Sequence, residues 1–254
     1  MVSLGQYTSI VTHNGRSLAS FDMGLTTGNS YAIALAIQAI QRAQTQRGCD
    51  PAELVLAVAG AAGNIGRTCA EILAPHYRRT ILLGNNTPES WARLQKYSER
   101  IPNAEITTEL SAVDTADVVL AATNSVDMPL GPAHFAENAI VCDVSVPPSV
   151  RPDTGTIRPD LTIIKGGIVR LPYGEDLEIV GFPLPPGQTY GCMAEGILLG
   201  FEGVRDRTFT GSLTPNQVRR IEVIAKRHGF ELADYKMSCV LGSERREELH
   251  VEAH

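Results

Sequence analysis

The chain has 254 residues, 43% of them hydrophobic and 20% charged, a composition typical of a globular protein with one large α/β domain or a core and a smaller lobe. The net charge of -6 at pH 7 excludes a general electrostatic attraction to nucleic acid or to an anionic membrane surface. No apolar run reaches the ~20 residues of a membrane span and no secretory signal opens the chain, so we expect a cytoplasmic protein.

The first part of the chain predicts one strand and one long helix. Residues 5–12 mix β-branched and aromatic residues and predict the strand. The turn Thr26-Thr27-Gly28-Asn29 then supplies candidate N-cap side chains for a helix whose alanines, leucine and isoleucines recur at helical spacing until Gly48.

The middle of the chain alternates predicted strands and helices. A continuous apolar run at residues 54–59 predicts a buried parallel strand that leads directly into a glycine-rich turn. Beyond the turn we predict a helix, a strand, a helix and a strand at residues 67–77, 80–84, 90–101 and 104–108. This βαβαβ order is typical of one half of a dinucleotide-binding domain.

Three more strands and two helices are predicted after this half. The strands lie at residues 116–122, 139–144 and 161–167, which brings the sheet to at least six strands. The helices lie at residues 192–204 and 215–229, and Gly229 caps the second. The polar end of the chain predicts a frayed or disordered tail.

The expected fold class is α/β, a Rossmann-type doubly wound parallel sheet whose flanking N- and C-terminal segments form a small catalytic lobe. We divide the chain into the N-terminal strand and helix of the lobe, the dinucleotide-binding core, C-terminal helices with the candidate nucleophile, and a disordered tail. These parts are residues 1–48, 49–185, 186–240 and 241–254.

The turn after the strand at 54–59 reads GAAGNIG. Small residues in such a turn let a diphosphate approach the backbone N–H groups of a helix N-terminus. The turn therefore predicts a nicotinamide dinucleotide site, the alternative being a tight turn without a ligand. The residues that we assign to this site are Gly60, Ala62, Gly63, Asn64, Ile65 and Gly66.

Cofactor preference is decided at the end of the second core strand, where an acidic residue favours NAD and an arginine favours NADP. Here Asn85, Asn86 and Thr87 follow the strand and supply hydrogen-bond donors without charge. We expect NADP(H), with NAD(H) as the alternative, and we add Thr123 and Gly167 to the cofactor residues.

Cys192 is the cysteine most suited to chemistry, because it lies at the predicted first turn of a helix that follows a loop rich in proline and glycine. The positive end of a helix dipole favours the thiolate, the reactive form of cysteine. A single cysteine is also often a small core residue, and this alternative stays open. No CxxC pair predicts a disulfide framework or a zinc site, and the remaining thiols are interpreted as structural: Cys49, Cys69, Cys142 and Cys239.

Several segments together resemble the cyanobacterial long-chain acyl-ACP reductases, which reduce a fatty acyl thioester to an aldehyde with NADPH. The order of TTGN, GAAGNIG and CMAEGILLGFE along the chain is more specific than any one of these motifs. The similar segments are LGQYTSIV at 4–11, TTGN at 26–29, VAGAAGNIG at 58–66, KGGIV at 165–169, CMAEGILLGFEG at 192–203 and KRHGF at 226–230.

The resemblance implies that Cys192 is the nucleophile that takes the acyl group from acyl carrier protein or acyl-CoA as a cysteinyl thioester. Thr27, Asn29 and Gly167 are then candidates for framing the nicotinamide and the acyl carbonyl, the alternative being capping and tight-turn roles. Backbone N–H groups at the start of the Cys192 helix would stabilise the oxyanion. Glu195 is interpreted as an ordinary carboxylate in the first turn of that helix.

Two features depart from that family. The first is that Asn85 and Asn86 stand where its members usually carry an arginine. The second is that its members carry a domain-sized N-terminal extension before the predicted first strand, whereas this sequence begins almost at that strand. We therefore expect that another chain supplies the acyl-binding surface, that the substrate is smaller, or that this chain is a piece of a longer protein. An oligomer is compatible with each of these.

Three functions fit these patterns. The first is NAD(P)H-dependent reduction of an acyl thioester through a covalent cysteinyl intermediate. The second is a dehydrogenase similar to the shikimate or methylene-tetrahydropterin enzymes, which transfers hydride without a covalent step. The third is a non-catalytic, cofactor-binding subunit that needs a partner chain.

Overall fold

The structure, a computed structural model, describes residues 1–5, 7–18, 20–123 and 129–233 of the chain. The predicted tail at 241–254 and Cys239 lie outside the described residues. Within the described part of the chain, every helix is too short or too polar to cross a lipid bilayer.

The helices and strands follow one another in three groups. The N-terminal group is β1 (Val2–Ser3), α1 (Tyr7–Val11), β2 (Leu25–Thr26) and α2 (Asn29–Arg47). The core group is β3 (Val55–Ala59), α3 (Asn64–Leu73), β4 (Arg79–Leu83), α4 (Pro88–Ser98), β5 (Ala104–Thr107), β6 (Val118–Ala121), β7 (Ile140–Asp143), α5 (Thr154–Ile157) and β8 (Thr162–Lys165). The C-terminal group is β9 (Ile168–Arg170), β10 (Gln188–Tyr190), α6 (Gly191–Phe201), α7 (Pro215–Arg227) and β11 (Glu231–Leu232).

The six core strands form one parallel sheet in the order β5-β4-β3-β6-β7-β8. Counted from β3, this is the 3-2-1-4-5-6 order of the Rossmann fold, in which the direction of winding reverses between the first and fourth strands. The prediction of a Rossmann-type α/β sheet with six strands is therefore confirmed. Ligands of such sheets bind outside the carboxyl ends of the strands at this reversal.

Apolar residues cover both faces of the sheet, as the continuous hydrophobic runs of its strands predict. All five residues of β3 are buried. One face packs against α2 and α3, and α6 and α7 pack in turn against α2, so that the terminal segments share one hydrophobic core with the sheet. The other face forms a second cluster that includes Val113 from one short 3-10 helix and Phe135 directly after another.

The prediction of a strand at residues 5–12 is wrong, because Tyr7–Val11 form α1. The β-branched residues favour a strand, but hydrogen bonds within the segment form one helical turn instead. The Thr12 N–H donates to the Thr8 carbonyl at 3.2 Å, and the Thr12 hydroxyl donates to the same carbonyl at 2.6 Å. The short strand β1 pairs instead with β2, in parallel.

Both predicted helix-ending glycines are confirmed. Gly48 ends α2 in the left-handed conformation with φ of +66°, and its N–H satisfies carbonyls of the last turn. Gly229 follows α7 with φ of +74°, and Phe230 donates back to the Ala225 carbonyl. The small antiparallel sheet β10-β9-β11 was not predicted, because strands of two or three residues leave no periodic pattern in the sequence.

Candidate functional site

The glycine turn joins β3 to α3, and two of its three glycines are required by contacts within the protein. Gly60 has φ of +83°, and a Cβ atom there would stand 2.4 Å from the Ala122 carbonyl oxygen after the neighbouring strand β6. A Cβ atom on Gly66 would stand 2.4 Å from the Gly60 carbonyl oxygen. These two glycines permit the tight turn and the close packing of α3 on β3.

Gly63 is different, because the protein itself does not require a glycine there. Its backbone is extended with φ of -81°, and an added Cβ atom would meet the Gly60 carbonyl oxygen at 3.2 Å. Gly63 is the N-cap of α3 and offers no side-chain cap to the N–H groups of the first turn. The missing side chain leaves these donors accessible, and this geometry fits the diphosphate of a dinucleotide.

A cleft of about 440 Å³ opens beyond the carboxyl ends of β3, β6, β7 and β8. Its size is that of a small-molecule site. Six of the predicted site residues line it together, although they come from the N-terminal, core and C-terminal groups of elements. These residues are Asn29, Gly63, Asn64, Ile65, Gly167 and Cys192.

The remaining residues that the sequence analysis assigned to the cofactor lie beside β3 and β4. Gly60, Asn85 and Thr123 line a second, smaller hollow there. Asn86 is exposed, and Thr87 caps α4 by accepting a hydrogen bond from the Ser90 N–H at 3.2 Å. Two further residues, Ala62 and Gly66, are buried in the turn itself and present no surface to either hollow.

Thr27 is the predicted catalytic residue that does not line the cleft. Its side chain is fully buried, and its hydroxyl lies 3.3 Å from the Phe209 carbonyl oxygen, to which it donates. The same hydroxyl accepts from the Asn29 N–H at 3.4 Å. The prediction that Thr27 frames the substrate is thus corrected: it holds the start of α2 against a segment 182 residues away.

Cys192 lies in the first turn of α6, as predicted, and this turn meets the first turn of α2. Gly28 has φ of +74°, and a Cβ atom on it would stand 2.5 Å from both the Cα and the Cβ atoms of Cys192. The Ser3 hydroxyl donates to the Cys192 carbonyl at 2.6 Å. A Cβ atom on Gly5 would lie 3.5 Å from the Cys192 Sγ atom. The thiol therefore stands where β1, α2 and α6 converge at the wall of the cleft.

The thiolate of Cys192 is not favoured at rest, contrary to the expectation from the helix dipole alone. Burial raises the pKa of the Cys192 thiol, the neighbouring Glu195 carboxylate raises it as well, and backbone hydrogen bonds from Met193 and Cys192 oppose these effects. The position at a helix N-terminus is confirmed, but the net direction of the pKa shift is upward.

Glu195 is the functional residue whose role the sequence analysis missed. Its side chain is fully buried, and it caps α2 rather than its own helix. The carboxylate accepts a hydrogen bond from the Tyr31 N–H at 2.6 Å and another from the Thr26 hydroxyl. Thr26 in turn accepts from the Gly28 N–H at 3.0 Å. The N-cap of α2 is Gly28, which has no side chain, and among the predicted capping side chains the Thr27 hydroxyl accepts from the N–H of Asn29 in the first turn.

A signal for this role exists in the sequence. Glu195 is the sole charged residue in the apolar run GCMAEGILLGF, and a carboxylate in such a run needs a buried partner. Burial raises the pKa of Glu195 to about 7, while hydrogen bonds from Thr26 and from the N–H groups of Tyr31, Gly28 and Ser30 lower it. The partner of Glu195 is the N-terminus of α2, which the sequence alone does not identify.

A second buried carboxylate supports the cleft beyond β7. Asp143 accepts hydrogen bonds from the N–H groups of Ser145, Ser149 and Val150 at 2.8 to 2.9 Å. Burial raises the pKa of Asp143, while these hydrogen bonds lower it. The loop that they fix brings Ser145 and Val146 to the cleft wall.

Lys165, at the end of β8, brings a positive charge to the Cys192 side of the cleft. Its Nζ atom lies 5.4 Å from the centroid of the Tyr190 ring, and Tyr190 is the N-cap of the Cys192 helix. Burial lowers the pKa of Lys165, while the Asp143 carboxylate raises it. The following Gly167 carbonyl accepts from the Gly191 N–H at 2.8 Å, which joins β8 to the start of α6.

No protein-family model matches the chain. In sequence it is similar to the aminotransferase PigE of a Serratia species, with 26% identity over 91% of this chain and 28% of that protein. It is also similar to the long-chain acyl-[acyl-carrier-protein] reductase of Synechococcus elongatus, with 25% identity over 90% of this chain and 70% of that protein. The chain thus spans between 28% and 70% of the length of these curated relatives.

Among solved structures, the chain is similar to a dipicolinate synthase from Bacillus halodurans. The TM-score is 0.45 at 15% sequence identity, and the matched part covers 54% of this chain and 46% of the other.

The raised pKa of Glu195 makes a testable contribution to stability. An acid whose folded pKa is about 7, above its unfolded value near 4.5, stabilises the fold at low pH, and this contribution is lost as the pH rises through 7. Between pH 5 and pH 8 we expect the free energy of unfolding of the parent to fall by ~3 kcal/mol more than that of Glu195→Gln.

Urea unfolding at a series of pH values measures this effect, with the exposed Glu53→Gln as the matched control. Parallel pH profiles for the parent protein and Glu195→Gln would contradict the assignment.

Proposed function

We propose that this chain is an NAD(P)(H)-dependent oxidoreductase that reduces an acyl thioester to an aldehyde through Cys192. The observation that carries the proposal is that one cleft combines an open glycine turn at Gly63 with a cysteine at a helix N-terminus. The sequence similarity to a long-chain acyl-ACP reductase supports an acyl thioester as substrate, with acyl carrier protein or CoA as its carrier.

The residues that would hold a dinucleotide lie along the carboxyl edge of the sheet. The N–H groups of Asn64 and Ile65 at the start of α3, where Gly63 leaves room, would hold its diphosphate. Gly60, Thr123 and Asn85 line the hollow that would receive its adenosine part. Neutral donors at Asn85, Asn86 and Thr87 suit the 2′-phosphate of NADP(H) without excluding NAD(H), and Gly167 flanks the nicotinamide end.

The bound reduced nicotinamide supplies the hydride that turns the acyl group into an aldehyde. Cys192 supplies the covalent step. Its Sγ atom forms a bond to the acyl carbon, the bond from that carbon to the carrier sulfur breaks, and the carrier leaves as a thiol with the proton that Cys192 loses. Release of the aldehyde breaks the bond to Sγ, and Cys192 leaves this step as a thiolate that takes up one proton from water to return to its protonated form.

Two groups stabilise the negative charge that develops on the acyl oxygen. Backbone N–H groups of the first turn of α6 lie beside Cys192, and the Lys165 ammonium group lies on the same side of the cleft. Asn29, the first residue of α2, lines the cleft and orients the acyl carbonyl. Thr27 and Glu195 act as positioning residues that do not line the cleft: Glu195 joins α6 to α2, and Thr27 joins the start of α2 to Phe209.

Acylation of Cys192 is the central test. On incubation with acyl-CoA of short to long chains, without cofactor, we expect an acyl adduct in the parent protein and in Cys49→Ala, but none in Cys192→Ala. Mass spectrometry of the intact protein detects the adduct. Because burial raises the pKa of Cys192, we expect the acylation rate to keep rising as the pH increases above 8.

An adduct that persists in Cys192→Ala, or no adduct with any chain length, would sink the covalent mechanism. Full reductase activity of Cys192→Ala would favour hydride transfer without a covalent step. Cofactor binding without turnover, followed by activity when a partner chain is added, would identify a non-catalytic subunit.

The glycine turn gives a second test, because Gly63 and Gly66 act for different reasons. Gly63→Ala keeps the stability of the parent within ~1 kcal/mol, since its Cβ meets one tight contact, but the methyl group fills the diphosphate site. We expect the Kd for NADPH to rise about 10-fold or more. Gly66→Ala loses ~2 kcal/mol of stability through its 2.4 Å contact.

Urea unfolding and titration of NADPH fluorescence measure the two effects separately. Equal NADPH binding by Gly63→Ala and the parent would contradict the proposed diphosphate site.

Lys165 gives a third test. Removal of one group that stabilises an oxyanion lowers kcat ~10²-fold, so we expect this loss in Lys165→Met with little change in KM for the acyl substrate. Lys165→Arg keeps the charge and recovers part of the rate. Lys226→Met on the exposed side of α7 is the matched control. A kcat for Lys165→Met equal to that of the control would remove Lys165 from the proposal.

A further inference from the structure

His13, Asn14 and Arg16 follow α1 and line the same cleft as the glycine turn. His13, Asn14 and Gly15 have φ of 50°, 57° and 82°, so the backbone reverses in three successive left-handed residues. The Gly211 N–H donates to the Asn14 carbonyl at 2.8 Å and holds this reversal in place. Arg16 follows directly and lines the same cleft as Gly63.

The guanidinium group of Arg16 lies close to the start of α3. Its Nη2 atom donates to the Ser212 hydroxyl at 3.1 Å, and a Cβ atom on Gly211 would stand 3.6 Å from its Nε atom. The segment 211–213 is in turn bound to Asn64, the first residue of α3. The Asn64 amide donates to the Gly211 carbonyl at 2.9 Å and accepts from the Leu213 N–H at 3.0 Å.

A bound diphosphate needs more positive charge than the start of α3 provides. A diphosphate carries two negative charges, whereas a helix N-terminus offers about half a positive charge. Arg67, the basic residue on α3 itself, is engaged by Glu71 at 2.8 Å and by the Leu213 carbonyl at 2.6 Å. Among the described residues that line the cleft, the lysine and arginine side chains are Lys165 and Arg16, and Lys165 lies at the Cys192 end.

We propose that Arg16 binds the diphosphate of the dinucleotide from the side of the cleft that faces the glycine turn. This inference rests on the proposed cofactor site and adds to it a residue from outside the Rossmann core. The planar guanidinium group suits two phosphate oxygens at once, and its hydrogen-bond partner among the described residues, the Ser212 hydroxyl, is neutral.

The proposal also gives a role to the segment that follows α1, whose residues line the cleft. A Rossmann core binds the diphosphate on one side through backbone N–H groups. Here His13, Asn14 and Arg16 line the cleft as well, and the hydrogen bond from the Gly211 N–H to the Asn14 carbonyl holds this segment in place. The cofactor thereby joins the N-terminal group of elements to the core.

Equilibrium titration of the full chain with NADPH and with NADH, followed by nicotinamide fluorescence, tests the role of Arg16. We expect Arg16→Gln to raise both Kd values by the same factor, about 10- to 100-fold, because the diphosphate is common to both cofactors. Arg16→Lys recovers part of the affinity, and the salt dependence of Kd becomes shallower in Arg16→Gln.

Two control variants separate charge from structure. Ser212→Ala removes the contact of Arg16 but keeps its charge, and Arg219→Gln removes an exposed charge on α7 that does not line the cleft. We expect both to bind the cofactors within twofold of the parent, and the melting temperatures of all four variants to stay close to that of the parent.

Unchanged Kd values in Arg16→Gln would overturn the inference. A loss of affinity confined to NADPH would overturn it too, because it would assign Arg16 to the 2′-phosphate. An equal loss in Ser212→Ala would also overturn it, because the role of Arg16 would then be structural. Failure of the parent to bind either cofactor would instead refute the proposed function itself.

Discussion

The buried carboxylate of Glu195 is the interaction on which the arrangement of the site depends. It belongs to α6 but receives the N–H group of Tyr31 at the start of α2, whose own N-cap, Gly28, has no side chain to offer. The first turns of the two helices can meet because Gly28 leaves room for Cys192. Burial of a carboxylate is costly, and the hydrogen bonds from α2 and Thr26 offset that cost.

This arrangement fixes the position of Cys192 at the expense of its acidity. The burial that holds the thiol in the wall of the cleft raises its pKa, and the Glu195 charge adds to the effect. The resting site therefore holds a thiol rather than a thiolate. In the proposed reaction this is compatible with exchange between thioesters, because the departing carrier thiol takes the proton that Cys192 gives up.

Positive charge is distributed along the cleft in the way that the proposed chemistry requires. Lys165 lies at the end of the cleft that holds Cys192, and Arg16 lies at the end that holds the glycine turn. Between them, Gly63 and Gly167 present backbone without side chains. In the proposed reaction the core sheet contributes the cofactor-binding edge, the C-terminal group contributes the proposed nucleophile Cys192, and the N-terminal group contributes Arg16.

The sequence by itself determined the parallel sheet, because its strands are short apolar runs and the glycine turn lies between a strand and a helix. It also located Cys192 at a helix start, through the Pro/Gly-rich loop before α6. Only the tertiary structure decided which groups Glu195, Thr27 and Arg16 contact, since their partners are distant in the chain: α2, Phe209 and the segment 211–213. It also turned residues 7–11 from an expected strand into a helix. Periodicity and local propensity report contacts along the chain, whereas burial and long-range hydrogen bonds set the roles of these side chains.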